Sequence, residues 1–384
     1  MRIVDVCAFY APEGGGVRTY VDRKLAAAPA AGHELIVLAP GREDRVEARG
    51  PAARIEWLAS PRFPLDRRYG YFADASQLHG ALNRLKPDIV EASSPWRSAS
   101  MVADWQGPAR RVLMMHADPL SAYAYRWFGR VAERETIDRS FGWFWRHLRA
   151  LDRRFDAVVS ASQSLSDRLI AGGLRHVATN PIGVDPGVFS PALRDEALRA
   201  RLLAKCALPA SATLLIGVGR HAPEKRWPMV IDAAMAAGVD NPVGLVLIGD
   251  GRGRGRVARG IAHDPHIRLL SPIRDRAALA RTMASADALI HGCEAETFCM
   301  VAAEARASGL PLIVPDQGGA ADQARAGGGF TYAAGSSASA AAAIRRLVAR
   351  PERPVGNEVR TMDQHFADLF SFYRQLLCPA VRAA

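Results

Sequence analysis

The chain reads as an α/β protein built from two Rossmann-like domains, and three observations predict this. Short apolar runs alternate with amphipathic segments, the rhythm of βα units in a parallel sheet. A turn-rich stretch, NPIGVDPGVFSPALRD (180–195), interrupts the alternation, which then restarts. The length of 384 residues, 49% hydrophobic and 23% charged, suits two medium-sized domains better than one.

In the first series, strands are expected at 2–7, 34–39, 54–59, 88–92, 110–115 and 156–161. Helices are expected at 17–30, 74–86, 97–106, 120–150 with interruption, and 163–172. The second series places strands at 213–219, 243–249, 267–271, 287–292 and 311–316, with helices between them. Near the C-terminus, Met362, Phe366, Leu369, Tyr373 and Leu376 fall on one helical stripe, so a last helix should pack on a domain.

Composition excludes several classes. No apolar run approaches the roughly 18 residues a membrane span requires. MRIVDVCAFY reads as a strand, not a secretory leader, and the five scattered cysteines form no CxxC pair. A reducing, cytoplasmic setting without disulfides or zinc is therefore expected. The net charge of +11 points to phosphate-bearing small molecules, anionic lipid or nucleic acid, or to nothing beyond an arginine-rich surface. No DNA- or RNA-reading motif accompanies the charge, so a basic nucleic-acid-binding protein is only a remote alternative.

Several segments can carry chemistry. YAPEGGGVRTY (10–20) lies where the first strand turns into the first helix, at the sheet edge where open α/β folds bind ligands. Its glycines permit close backbone approach, and the helix-start amides favour an anion. GVGRHAPEKRW (217–227) gathers Arg220, His221, Lys225 and Arg226 in the corresponding place of the second domain, where a diphosphate would be held well. IGDGRGRGR (248–256) lacks the GK[ST] of a Walker loop and reads as mainly structural, with Gly249–Gly251 near a ligand. His116, with Asp118 beside it, should project from the end of a strand.

In EAETFCMVAAEARASG (294–309), Thr297 is expected to cap a helix on which Thr297, Met300 and Glu304 share a face. The amides of Phe298, Cys299 and Met300 would crowd its start. Glu304 could accept hydrogen bonds from a ribose diol while Glu296 takes sugar hydroxyls. The plainer alternative is a salt bridge from Glu304 to an arginine.

Together these residues resemble the GT-B fold retaining glycosyltransferases of family 4, the group-1 glycosyl transferases, over nearly the whole chain. The resemblance is carried by the first glycine loop, GVDPGVFSP at the crossover, GRHAPEKR, LVLIGDG, the E-x7-E spacing of Glu296 and Glu304, and GLPLIVPDQGGAADQ. It implies two Rossmann-like domains facing a cleft: an acceptor domain at 1–190, a nucleotide-sugar donor domain at 191–360, and a C-terminal helix, 361–384, returning to the first. By the same resemblance Glu304 binds the nucleotide ribose and Glu296 the donor sugar. Arg220 and Lys225 hold the diphosphate, Gly15 and Gly16 approach it, Phe298, Cys299 and Met300 line the donor, and His116 lies near the transferred sugar. The implied candidate catalytic set is His116, Glu296, Arg220 and Lys225, with no cofactor and no metal. The absence of D-x-D agrees with metal-independent transfer.

Two departures bear on the donor. The Pro-Ser before the first glutamate is replaced in HGCEA, and the glycine that follows it is Cys299. Trp, Phe and Arg interleave at 124–155, which suits an anionic membrane surface or an amphipathic helix packed on the sheet. The function expected is transfer of a hexosyl unit from a UDP- or GDP-hexose to a lipid or lipid-linked saccharide at the inner face of the plasma membrane. A soluble enzyme acting on a small metabolite or polysaccharide is the alternative.

Overall fold

The computed structural model describes residues 1–12, 16–64, 69–116, 118, 120, 134–351 and 358–378. The chain forms two compact units: residues 1–118, 129–181 and 362–384 make the first, and 182–361 carry the second. The division precedes the GVDPGVFSP segment, which belongs to the second unit.

In the first unit, β1 (Arg2–Val6), β2 (Glu34–Gly41), β3 (Arg45–Gly50), β4 (Ala53–Ala59), β5 (Ile89–Ala92), β6 (Arg110–Met115), β7 (Ala157–Ser160) and β8 (Val177–Thr179) make one sheet. Their order is β3-β4-β2-β1-β5-β6-β7-β8. The central strands are apolar on both faces because helices cover both, as a parallel sheet requires. The expected all-parallel sheet needs one correction: β3 runs antiparallel to β4. Its sequence, RVEARG, is polar and mostly exposed, so it carried no strand signal.

One buried charge cluster ties this unit together. The Lys24 ammonium, on helix Gly16–Ala30, lies 3.2 Å from Asp5 of β1 and also bonds to Glu91 of β5. All three residues are fully buried, and Ser93 Oγ donates to Asp5 at 2.6 Å. Removing one member would strand a buried charge, so the cluster locks the first helix against the sheet. Helix Met362–Leu377 packs on the same unit, burying Phe366, Leu369, Phe370 and Tyr373. Its His365 Nε2 lies 3.0 Å from Tyr20 Oη.

The second unit holds β9 (Thr213–Val218), β10 (Val243–Ile248), β11 (Ile267–Leu270), β12 (Ala288–Ile290), β13 (Leu312–Pro315) and β14 (Gly329–Tyr332), all parallel. The order β11-β10-β9-β12-β13-β14 is the Rossmann order. Trp227, Val230, Ile231, Ile344 and Leu347 fill one face of the sheet. Leu203, Met283, Ala302, Ala305 and Ala320 fill the other. The chain leaves β9 and β12 in opposite directions across the sheet, so a crevice opens beyond their carboxyl ends. Among the described residues, no helix is long and apolar enough to cross a membrane.

Candidate active site

The residues singled out in the second domain follow β9 and β12, the two strands at its topological switch. After β9 the chain turns through Gly219 and Arg220 into a short 3-10 turn, Pro223–Lys225. Arg226 then adopts a left-handed conformation and opens helix Trp227–Gly238. Trp227 Nε1 donates to the Arg220 carbonyl at 2.9 Å, which fixes the loop against the core. After β12, His291 N donates to Ile313 O, and Tyr332 Oη donates to His291 O at 2.6 Å. Behind this loop Gly319 N donates to Glu296 O at 2.7 Å. A Cβ on Gly319 would lie 2.5 Å from Thr297 O, so only glycine lets the helix at Gly318–Gly327 approach so closely.

The two loops meet through side chains. Lys225 Nζ bonds to Glu296 Oε1, and His291 Nε2 lies 3.2 Å from the same oxygen. Burial alone would raise the Glu296 pKa, but the hydrogen bond from His291 and the Lys225 charge outweigh it. The carboxyl is held well below the usual range and stays ionised. An ionised carboxylate can only accept, so His291 carries its proton on Nε2, and among the described residues its buried Nδ1 has no partner. Burial pulls the Lys225 pKa down, but Glu296 reverses this and the ammonium stays charged. Arg220 behaves differently: its side chain is 77% exposed, and its one ion pair among the described residues is with Glu224 at 3.2 Å, so it is available to an anion. Arg226 forms a two-bond pair with Glu294, anchoring one loop to the other.

Thr297 does not cap the following helix, contrary to expectation. The helix runs Met300–Ala307, and its N-cap is Cys299 at φ 65°, ψ 70°, with no side-chain cap. A residue with a Cβ therefore keeps the left-handed backbone that glycine favours. Thr297 consequently lies outside the helix and does not share a helical face with Met300 and Glu304. Phe298 and Cys299 are buried, whereas Met300 is exposed.

Glu304 is 6% exposed. Arg276 Nη2 donates to its Oε1 at 2.8 Å, so the arginine bridge named as the alternative is present. Gly249, Gly251 and Gly253 fold around His221, with Gly253 N donating to His221 O at 2.8 Å. This makes the second glycine loop a packing element, since a Cβ on Gly251 would lie 2.7 Å from His221 O.

In the first unit, His116 follows β6 and faces the Tyr20 ring at 4.9 Å. Burial pushes its pKa down to about 4, and among the described residues its buried Nε2 has no hydrogen-bond partner. Gly16 opens the first helix, with open space where a side chain would project. Gly15 lies outside the described residues, as does 124–133 of the aromatic segment. In its described part, Phe144 is buried while Trp143 is 52% exposed.

Sequence reasoning missed His291, Glu294 and Arg276. A histidine at a strand end and an arginine one place after a capping Asp275 carry no motif signal, and their partners lie far along the chain.

Cations and an ionised carboxylate, Glu296, thus meet at the Rossmann switch point, the edge where open α/β sheets bind ligands. Comparison with known proteins then sets the class. Residues 14–188 match the model of Glycosyltransferase Family 4, and residues 200–357 match that of Glycosyl transferases group 1. The chain is 30% identical over 378 residues to a GDP-mannose-dependent alpha-(1-6)-phosphatidylinositol dimannoside mannosyltransferase of Mycobacterium tuberculosis, covering 97% of this chain and 93% of the relative. It is also 30% identical over 329 residues to a GDP-mannose-dependent alpha-mannosyltransferase of that species, covering 84% and 81%. Sucrose-phosphate synthase from Thermosynechococcus elongatus has a similar structure, with TM-score 0.74 at 20% identity, covering 98% and 99% of the two chains. An Anabaena protein solved in complex with UDP follows at 0.67 and 16%, covering 98% and 97%. The chain belongs to glycosyltransferase family 4 and has the GT-B fold.

Proposed function

We propose that the enzyme is a retaining, metal-independent mannosyltransferase that uses GDP-mannose and extends a mannosylated phosphatidylinositol-type lipid at a membrane surface. The observation that carries this reading is the Lys225–Glu296–His291 cluster beside the exposed Arg220. It supplies fixed positive charge for a diphosphate and an ionised acceptor for sugar hydroxyls at one edge of one sheet. The curated relatives' use of GDP-mannose supports the donor, and the inositol-lipid relative supports the acceptor.

Cleavage of the anomeric C–O bond sends its electron pair to the β-phosphate oxygen. Lys225 stabilises that charge without reorganising, because the Glu296 contact already positions its ammonium, and the exposed Arg220 adds a second cation. In a front-face step the acceptor hydroxyl attacks from the side the phosphate leaves. Its proton passes to the departing phosphate oxygen, so GDP carries the proton away and the anomeric configuration is retained. Glu296 stays ionised throughout and steadies the sugar.

His291, Glu296 and Cys299 bring three possible metal-ligand atoms within 4.8 Å of one another. The Lys225 ammonium already bonds to Glu296, and burial raises the Cys299 thiol well above its ordinary pKa. Both features oppose a thiolate-bound cation there and favour metal-free chemistry.

On the acceptor side, exposed Trp143 and Arg146 on helix Gly142–Asp152, near half-exposed Trp96, suit a headgroup region. The test is to incubate purified enzyme with GDP-mannose, UDP-glucose and UDP-galactose, with EDTA and with or without phosphatidylinositol mannosides. The reading expects lipid-dependent release of GDP, with an α-linked product by NMR. A β-linked product, or activity abolished by EDTA and restored by a divalent metal, would count against it.

A further inference from the structure

The crossover segment GVDPGVFSP lies at the start of residues 182–361 of the second unit, outside the Lys225–Glu296–His291 cluster. Two of its side chains converge on one guanidinium. Asp185 Oδ2 accepts from Arg276 Nη2 at 3.2 Å, and the Phe189 ring lies 4.9 Å from the Arg276 Cζ. Phe189 is itself part of the core packed on the second sheet. Arg276 is the first residue of helix Arg276–Ala284, whose start is fixed by Asp275 Oδ1 accepting from Ala277 N at 3.0 Å. An arginine held by a carboxylate, an aromatic face and a capped helix has little freedom left. The same Nη2 donates to Glu304 Oε1, and among the described residues no hydrogen bond reaches Glu304 Oε2.

We propose that Arg276 is a positioning residue for the donor: anchored by Asp185 and Phe189, it orients Glu304 through Oε1 and leaves Oε2 to accept from the ribose diol. The inference rests on the reading of Glu304 as the ribose ligand. It gives the crossover segment a task, which is to hold the arginine that aims the carboxylate.

The arrangement also answers an electrostatic need. A carboxylic acid accepts from a diol well only when ionised, and burial pushes Glu304 above its ordinary pKa. Arg276 opposes that push, while Asp185 adds to it. Among the described residues these are the two charged groups acting on Glu304. Helix Gly318–Gly327, which also packs on the Glu304 helix, directs Gln323 to Arg306 instead, and β12 and β13 present apolar residues. Without Arg276 the carboxyl would protonate at higher pH.

The test is titration of the full-length enzyme with GDP by calorimetry between pH 6 and 8. Arg276→Met should weaken GDP binding about tenfold at pH 7.5, the loss of one well-formed charged contact. The deficit should widen several-fold as pH falls to 6, and Arg276→Lys should recover part of it. Asp185→Asn should give a smaller loss. With saturating donor, kcat should change little while KM for donor rises. In a Glu304→Gln background, Arg276→Met should add almost nothing, and the widening of its deficit at low pH should disappear. If Glu304→Gln weakens binding but Arg276→Met keeps the wild-type pH profile, Arg276 has no positioning role. A penalty of full size in the Glu304→Gln background would mean that Arg276 touches the nucleotide directly, which also overturns the proposal. If Glu304→Gln leaves GDP affinity unchanged, the ribose reading itself fails, and this inference with it.

Discussion

Cys299 sits where the resembled family pattern offers glycine, yet it holds a left-handed backbone at φ 65°. That conformation costs a residue with a Cβ roughly 1–2 kcal/mol. The perturbation is the pair Cys299→Gly and Cys299→Ala, both of which delete the same buried thiol. At an ordinary buried position glycine would be the worse replacement. It adds about 0.5–1 kcal/mol of unfolded-state entropy and loses a buried methyl worth about 0.8 kcal/mol. Here relief of the backbone strain offsets both, so the two variants should agree within about 0.8 kcal/mol. For a unit of this size that is a melting difference of no more than about 3 °C. Cys293 is equally buried but has no left-handed backbone, so it serves as control. Cys293→Gly should melt about 3–6 °C below Cys293→Ala. Differential scanning calorimetry on the full chain reads all four. A gap at Cys299 as large as that at Cys293 would refute the strain argument. Cys299→Gly should also open space beside Glu296 and admit a wider range of donor hexoses, measurable with the same donor panel.

Other consequences follow from the charged groups. Lys225→Met should lower kcat about 10²–10³-fold, the cost of losing one preset charge-stabilising donor, by steady-state GDP release. It should also lower stability by about 1–2 kcal/mol, because Glu296 keeps its burial and loses its cation, and Glu296→Gln in the same chain should restore part of the melting temperature. His116 has a folded pKa of about 4 against an ordinary 6.5, so protonation favours the unfolded state. Its stabilising contribution is complete above pH 6.5 and is lost as pH falls towards 4, and His116→Gln should flatten that part of the melting-temperature profile. Because His116 is neutral at pH 7, the pH–rate profile should show no limb near 6.5 that His116→Gln removes. Trp143→Ala with Arg146→Ala should weaken binding to anionic vesicles at low salt, with each cation near such a surface worth about fivefold. Equal co-sedimentation of wild type and variant would remove this helix from the membrane reading.

Much of the architecture was legible because parallel strands buried on both faces leave unmistakable apolar runs. The turn after each run then marks the sheet edge where ligands bind. Arg220, Lys225 and Glu296, which follow β9 and β12, were therefore placeable from sequence, whereas Glu304 lies inside the next helix and its expected shared face with Thr297 did not form. The pairing of Lys225 with Glu296 was not legible, since the two lie 71 residues apart and meet only because β9 and β12 are neighbours. His291 and Arg276 act through such non-local contacts and carry no periodic signal. Strand β3 is solvent-exposed and polar, and β8 is three residues long, so neither could form a hydrophobic pattern. Thr297 was a reasonable cap by residue type. The chain instead turns at Cys299, whose backbone state no composition rule would assign to a cysteine.

In the proposed function the Lys225–Glu296 cluster and Arg220 bind the diphosphate of a nucleotide sugar for transfer. Calorimetric titration with GDP and GDP-mannose, for wild type and for Arg220→Ala with Lys225→Met, tests it most directly. The wild type should bind saturably and one-to-one, and the double variant should lose at least about 100-fold in affinity, two charged contacts of about tenfold each. Undiminished GDP affinity in a folded double variant would contradict it.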